Sequence, residues 1–375
     1  MKKLSHPLLV GLFCWSISVI FSSPPLRFIL DEDYQPSQYG NRYHEVFVEQ
    51  VQNPLYRPDT QNAAWEQGGD FLAYRIFIPT ISYYLGFEPE TALFLISICG
   101  LFTLSIVYDI LICRGIKVLP GFTFTLLLSL SPVVQGSHQY PGFPDSVAWL
   151  CVAVVIRYPK LLIVFLATLI GIFNDERFLL ALPLAYAVIF FQERRELHKS
   201  VSKILPFFTI TVVALVVSYF LRRGIAQGWV GNAPLTGNYL PADKFHFPFT
   251  FWHLLNLTFA FTFLWLVVTL AALKDSKYAK IYWITILFYS AFTIYLCTYA
   301  FDYWRSIACL FPVFILSALA IQNMLNALPR NLLLAIIALT VLTPEIYFTG
   351  NAPKWMRPLP IALFEYIQDK SILSR

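Results

Sequence analysis

Charge is what this chain of 375 residues has least of: Asp, Glu, Lys and Arg together make up 13% of it, against 57% hydrophobic residues. Soluble domains carry roughly a quarter charged residues, so the scarcity excludes an ordinary globular enzyme. The mean hydropathy of +0.61 points the same way. The net charge of +5 is spread thinly with no dense basic block, which argues against nucleic acid as a partner. Cysteine is sparse as well, and none of the six (Cys14, Cys99, Cys113, Cys151, Cys297, Cys309) stands in CxxC spacing, which leaves no zinc-ribbon or thioredoxin-type motif. There is no HExxH, P-loop, GxSxG or Rossmann fingerprint. No linker and no short-period repeat divides the chain, so residues 1–375 read as a single membrane domain.

What remains is apolar and aromatic. Hydrophobic runs recur along the whole sequence, and 34 Phe, 21 Tyr and 9 Trp suit a protein whose helix ends meet two membrane interfaces. The predicted fold class is an all-α polytopic membrane protein of about eleven transmembrane helices, with a long first outer loop carrying interfacial helices. Lys2 and Lys3 place the N-terminus in the cytoplasm by the positive-inside rule. The run of residues 8–21 reads as an uncleaved first helix, because Ser22-Ser23-Pro24-Pro25 is a poor cleavage site.

Residues 31–90 then form the first outer loop, residues 222–250 the second, and residues 350–375 an outer C-terminal tail. The stretch 71–87, interrupted by Arg75 and Pro79, is read as lying along the interface. That choice puts Arg114, Lys117, Arg157, Lys160, a basic loop at 193–203 and Arg330 on the cytoplasmic side. Residues 118–134, 204–221 and 251–273 each read as one span. The fourth and fifth helices, ending at Arg157 and before Asn174, fall short of the roughly 20 residues a simple span needs, so they are expected to be buried in protein or set beneath a cavity.

Against this background the acid triplet Asp31-Glu32-Asp33, directly behind the first apolar run, stands out. Carboxylates at a bilayer exit are costly to desolvate and need water, a cation or a proton-donating substrate. The topology gathers three further clusters on the same non-cytoplasmic face: His138 with Asp145, Asp175-Glu176-Arg177, and Asp302 with Arg305. Four clusters on one side fit a cavity that opens there. Each has a plainer reading. Asp145 and Asp175 could cap helices, Glu176 with Arg177 and Asp302 with Arg305 could be local ion pairs, and His138 could be a structural hydrogen-bonder. Chemically, the loop acids suit a general base that takes a proton from an acceptor hydroxyl. Arg177 and Arg305 suit a phosphate leaving group, since a guanidinium is a planar fork of donors that keeps its charge.

The order of these features resembles the GT-C superfamily of integral membrane glycosyltransferases. It is an acid pair after the first helix, an interfacial segment Tyr74-Arg75-Ile76-Phe77-Ile78-Pro79, Pro144-Asp145 opening a helix, Asp175-Glu176-Arg177 after a short helix, and a late Asp302-x-x-Arg305. The layout is similar to that of polyprenyl-phosphate-sugar-dependent, mannosyltransferase-like enzymes, and covers residues 1–203 best. The resemblance implies an inverting transfer from a polyprenyl-phosphate sugar donor to a glycan, lipid or protein acceptor, with Asp31 or Asp33 as catalytic base. Glu32, Arg75, His138, Asp145, Asp175, Glu176, Arg177, Asp302 and Arg305 become the substrate-binding candidates. A divalent cation could sit on the acidic triplet through oxygen ligands, and no other cofactor is expected. A transporter or flippase with an outward-facing charged cavity is the alternative, although no paired halves with matching broken helices are visible.

Overall fold

In the computed structural model of the chain the described residues are 2–22, 47–55, 75–139, 143–191, 197–227, 251–274, 277–297, 303–343, 345–349, 352–356, 360–361, 363–365 and 367–368. The first helices are α1 (Lys2–Ser22), α2 (Phe77–Leu85) and α3 (Pro89–Cys113). After them come α4 (Val118–Ser129), α5 (Pro132–Gln139), α6 (Asp145–Arg157), α7 (Leu161–Ile172), α8 (Phe178–Phe190) and α9 (Leu197–Ala226). The second half holds α10 (Phe251–Phe261), α11 (Leu264–Lys274), α12 (Lys277–Cys297), α13 (Tyr303–Ser306), a 3-10 turn at Ile307–Leu310, α14 (Phe311–Ala320), α15 (Gln322–Ala327) and α16 (Arg330–Val341).

An antiparallel hairpin of β1 (Glu345–Thr349) and β2 (Ala352–Met356) follows. The rest of the described secondary structure is helical, and the second strand of the hairpin falls within residues 350–375. Thr349 pairs with Ala352, and the residues between them in the sequence, Gly350-Asn351, are types that two-residue hairpin loops favour.

Among the described residues two helices are long and apolar enough to cross a membrane, Pro89–Cys113 and Ile204–Ile225, and a series of shorter apolar helices accompanies them. The chain is therefore a helical protein whose apolar helices could span a bilayer. Three segments read as continuous spans are divided or extended. Residues 118–134 break between α4 and α5, because Pro132 has no N–H to give and its ring clashes with the preceding turn. Ser131 at the break gives its hydroxyl to the Leu128 carbonyl at 2.6 Å. Residues 251–273 bend by 89° between α10 and α11, with Thr262 in the left-handed region at φ 35. The basic loop is shorter than expected, since α9 already begins at Leu197.

α3 is the axis of the first half, with α1 on one side and α6 on another, while α6 is enclosed further by α7 and α8. Trp149, in the middle of α6, is fully buried and meets the ring of Phe311 edge-on at 6.3 Å. α6 has 13 residues against 25 in α3, so the two cannot be coextensive. Gly100 of α3 faces the Ser146 hydroxyl at the start of α6, and Asp109 near the end of α3 takes a 2.5 Å hydrogen bond from Nε of Arg157 at the end of α6. α6 thus lies beside the C-terminal half of α3. At about 1.5 Å per residue, the N-terminal part of α3 rises about 16 Å beyond it. The first loop covers this projecting part: Phe47, Val51 and Ile78 cluster with Ala92, Ile96 and Val147.

The end of the bundle bearing Arg157 is closed by its own polar layer. The backbone N–H of Lys117 donates to Asn326 Oδ1 at 2.7 Å, and Asn326 Nδ2 donates to the Gly115 carbonyl at 2.9 Å. Gly115, at φ 92, makes the left-handed turn out of α3.

α1 approaches α3 so closely at Gly11 that a Cβ there would overlap Ser105 Oγ and come within 3.0 Å of the Leu101 carbonyl oxygen. Close backbone approach through small residues is how apolar helices gain packing contacts in lipid. Gly11→Val is expected to cost about 1–3 kcal/mol by overpacking, read as a lower unfolding temperature in detergent. Adding Ser105→Ala should restore part of it, because one of the two obstacles is then removed.

Candidate functional site

The end opposite Arg157 carries a cluster of charged side chains drawn from separate elements. Asp145 opens α6, Asp175 and Arg177 lie in the turn between α7 and α8, Arg305 lies on α13, and Arg75 precedes α2. All are buried except Arg177, which is partly so. Arg305 grips Asp145 in a two-point fork, Nε to Oδ2 at 2.7 Å and Nη2 to Oδ1 at 2.7 Å. Nη2 of Arg177 donates to the same Asp145 Oδ1 at 3.0 Å, and its Nη1 donates to Ser306 Oγ at 3.0 Å.

Asp175 accepts from the backbone N–H of Arg177 at 2.9 Å and from its Nε at 2.8 Å, and is also paired with its Nη2. Arg75 completes the group, 3.7 Å from Asp145 and 3.8 Å from Asp175. Phe143 lies beneath, with the Arg305 guanidinium 3.5 Å and that of Arg75 5.3 Å from its ring centre. Such stacking is attractive and holds the guanidinium planes in place. The close approach of α5 is part of the design: Gly136 lies against the Arg305 stem, where a Cβ would come within 3.4 Å of Cγ.

Burying charge is tolerable only when the partners are fixed and hydrogen-bonded. Burial alone would raise the Asp175 carboxyl, but the guanidiniums of Arg177 and Arg75 and the hydrogen bonds from Arg177 outweigh it and hold the group below the usual carboxylate range. A carboxylate held in this way is a poor proton acceptor. Asp175 is accordingly positioned to orient Arg177 and Arg75, and Asp145 holds Arg305 and Arg177 through its two oxygens. The guanidinium forks are what the cluster can offer to a phosphate.

Of the residues singled out in the sequence, Arg75, Asp145, Asp175, Arg177 and Arg305 come together. Of the other described candidates, Glu176 and His138 point elsewhere, and the partner seen for Arg305 is a distant one. Glu176, the neighbour of two cluster residues, turns the other way and accepts from Nη2 of Arg222 at 3.3 Å, so its partner is Arg222 and not Arg177. Arg305 pairs with Asp145 across 160 positions of sequence. His138 is not in the cluster: its Nδ1 is hydrogen-bonded to Ser97 Oγ at 3.1 Å, and its ring meets Trp15 edge-on. Gly136, which faces Arg305, is two residues away, about 200° around the helix. Asp31, Glu32, Asp33 and Asp302 lie outside the described residues. Among the described residues no group of three or more His, Cys, Asp or Glu is placed to hold a metal ion.

Buried polar residues at or near this end were not foreseen: Gln135, Asn174, Ser306, and on α10 His253 and Asn256. The signal for the last two was a polar pair three apart inside an apolar run. Comparison with protein-family models, with characterised proteins and with solved structures finds no match to this chain.

Replacing Asp145 by Ala leaves buried guanidiniums without their carboxylate and is expected to cost about 3–5 kcal/mol. Coupling Asp145→Leu with Arg305→Met should cost clearly less than the sum of the single changes, measured as unfolding temperatures in a double-mutant cycle.

Burial pushes the His138 imidazole down to about 4. The unfolded chain takes up this proton near pH 6.5 and the folded one only near 4. Stability is therefore complete above about 6.5 and falls as the pH drops through that window, by about 2 kcal/mol at pH 5. His138→Gln should flatten the fall in unfolding temperature between pH 7 and pH 5.

Proposed function

We propose that the chain is a membrane glycosyltransferase of GT-C type, which moves a sugar from a polyprenyl-phosphate donor to an acceptor at the non-cytoplasmic face. One observation carries the reading: three guanidiniums held by two carboxylates in a buried cluster about 16 Å below the start of α3. A phosphate that is tethered to a lipid tail must be met at some depth, and planar forks anchored by carboxylates meet it without reorganising. The first loop is docked over the same end through Phe47, Val51 and Ile78, which suits a loop that supplies the base.

In the transfer, the acceptor hydroxyl oxygen attacks the anomeric carbon as the bond from that carbon to the phosphate oxygen breaks. The electron pair leaves on the phosphate, facing Arg177, Arg305 and Arg75. The hydroxyl proton passes to a carboxylate, assigned to Asp31 or Asp33. A single displacement of this kind inverts the anomeric centre.

One feature favours a transporter or flippase as the second reading: the helix broken by 89° between α10 and α11, a device that transport proteins use beside their binding sites. A single experiment separates the two. Purified protein is given radiolabelled polyprenyl-phosphate sugars with total membrane lipid and glycan as acceptors. Label should be transferred by wild type, lost in the folded Asp31→Asn/Asp33→Asn double variant, and cut roughly 10–100-fold by Arg177→Lys, which exchanges a fork for a point charge. Movement of the intact labelled lipid between leaflets of proteoliposomes, with no transfer of its sugar, would sink the enzyme reading and support transport.

A further inference from the structure

The end of the bundle opposite the arginine cluster has a charge imbalance of its own. Asp109 of α3 is held by Arg157, the last residue of α6, through the 2.5 Å hydrogen bond from Nε to Oδ2. Nη2 of Arg157 donates to Cys113 Sγ at 3.6 Å, and that thiol donates to the other carboxylate oxygen, Oδ1, at 3.4 Å. Both oxygens of Asp109 are therefore engaged.

Arg114 follows Cys113 and stands at the C-terminal cap of α3. It is half-buried and close enough to Arg157 for the two like charges to oppose one another. Burial first, and the Arg157 guanidinium second, push Arg114 below its ordinary value, against an opposite effect of Cys113. Among the described residues its guanidinium has neither a hydrogen bond nor an ion pair. A cation near the last carbonyls of a helix is favoured by the helix dipole, which accounts for one guanidinium at each helix end. It does not account for setting the two together over a single carboxylate, where they repel. An anion lying across both would remove that repulsion.

What borders the pair says which anion. The ring of Tyr158 lies 5.1 Å from the Arg157 guanidinium and is exposed, and so are Leu161 and Leu162 at the start of α7. Lys160, between them in the sequence, is exposed as well. Apolar side chains that face outward beside cations mark the level where the tails of a bilayer give way to its headgroups. A soluble anion has no use for such a border, whereas a phospholipid needs both parts. Guanidinium forks match phosphate oxygens, and basic clefts between helices at a membrane surface are where anionic headgroups bind.

We infer that Arg114 and Arg157, at the adjoining ends of α3 and α6, bind the headgroup phosphate of an anionic phospholipid whose acyl chain lies along the exposed Leu161 and Leu162. This rests on the helices spanning a bilayer and is independent of sugar transfer.

For the test, purified full-length protein in neutral detergent is titrated with phosphatidylglycerol or with phosphatidylcholine of the same acyl chains, and bound lipid is counted by native mass spectrometry. Wild type should bind the anionic lipid about fivefold more tightly or better. Arg114→Gln should weaken that binding about fivefold, the ~1 kcal/mol that one basic residue contributes at a membrane surface. Binding of phosphatidylcholine should change by less than about twofold. Lys274→Gln, which removes an exposed charge at the end of α11, should leave both lipids within the same margin.

Wild type that binds the two lipids alike overturns the inference. So does Arg114→Gln without effect, or an equal loss in Lys274→Gln, which would mean that only overall charge counts. Displacement of the lipid by sodium phosphate, with sodium chloride of equal ionic strength as reference, would assign the guanidiniums to a soluble anion and overturn it too. Should Arg114→Gln fail to fold, Asp109→Asn decides: loss of the competing carboxylate should tighten the anionic lipid by about twofold or more, and an unchanged or weaker affinity overturns the site. A protein that transfers no sugar can pass every arm, so the two readings fall separately.

Discussion

The carboxylate of Asp145 is the constraint around which the rest of the molecule is arranged. It begins α6, and two guanidiniums from distant parts of the chain, Arg305 and Arg177, bind it in a place with little access to water. A buried ion pair of this sort seldom adds much stability compared with an apolar pair of the same volume, but it is severe about geometry, because losing either partner strands the other. The consequence is positional. α13, the turn between α7 and α8, and the start of α6 are fixed to one another through the cluster, and Arg75 brings in the segment ahead of α2. A bundle of short apolar helices has few directional contacts of its own. Here the polar contacts choose among the packings that apolar surface alone would permit.

The short helices and the cluster belong to one design. An apolar helix of 12 or 13 residues cannot meet both surfaces of a bilayer about 30 Å thick. α6 escapes the problem by being enclosed in protein, with α3 rising past it and the first-loop residues Phe47, Val51 and Ile78 capping the part that rises. The charges gather at the start of α6, where the shorter helix ends beside the longer one. Depth, charge and loop therefore have a common cause in the unequal lengths of α3 and α6.

Much of this was legible in the residues. Asp145, Asp175, Arg177, Arg305 and Arg75 were conspicuous because a charged side chain at the end of an apolar run has few reasons to be there. The shortness of α6 and α7 could be counted directly between their polar ends. What could not be read was direction. Glu176 sits between two cluster residues and points to Arg222, since neighbours in a turn face different ways. His138 shares a helix with Gly136 yet lies on its other side. The bend after Phe261 has no proline or glycine to announce it, so His253 and Asn256 looked like interruptions in a span. The hairpin beginning at Glu345 was hidden for another reason: its register depends on backbone pairing between short segments that could equally have been tail.

α6 also works as a ruler. One end is paired through Asp145 with Arg305, the other through Arg157 with Asp109, and the 13 residues of the helix, these two included, set the distance between the two layers. Adding or removing one residue between them would turn one end by about 100° and shift it about 1.5 Å relative to the other. Whichever layer kept its partners, the opposite one would be aimed wrongly. The middle of α6 can therefore change in composition around Trp149, but not in length. Over evolutionary time insertions should collect in the loops and be absent from this helix, a signature of phase that depends on neither the chemistry of the cluster nor the identity of its ligand.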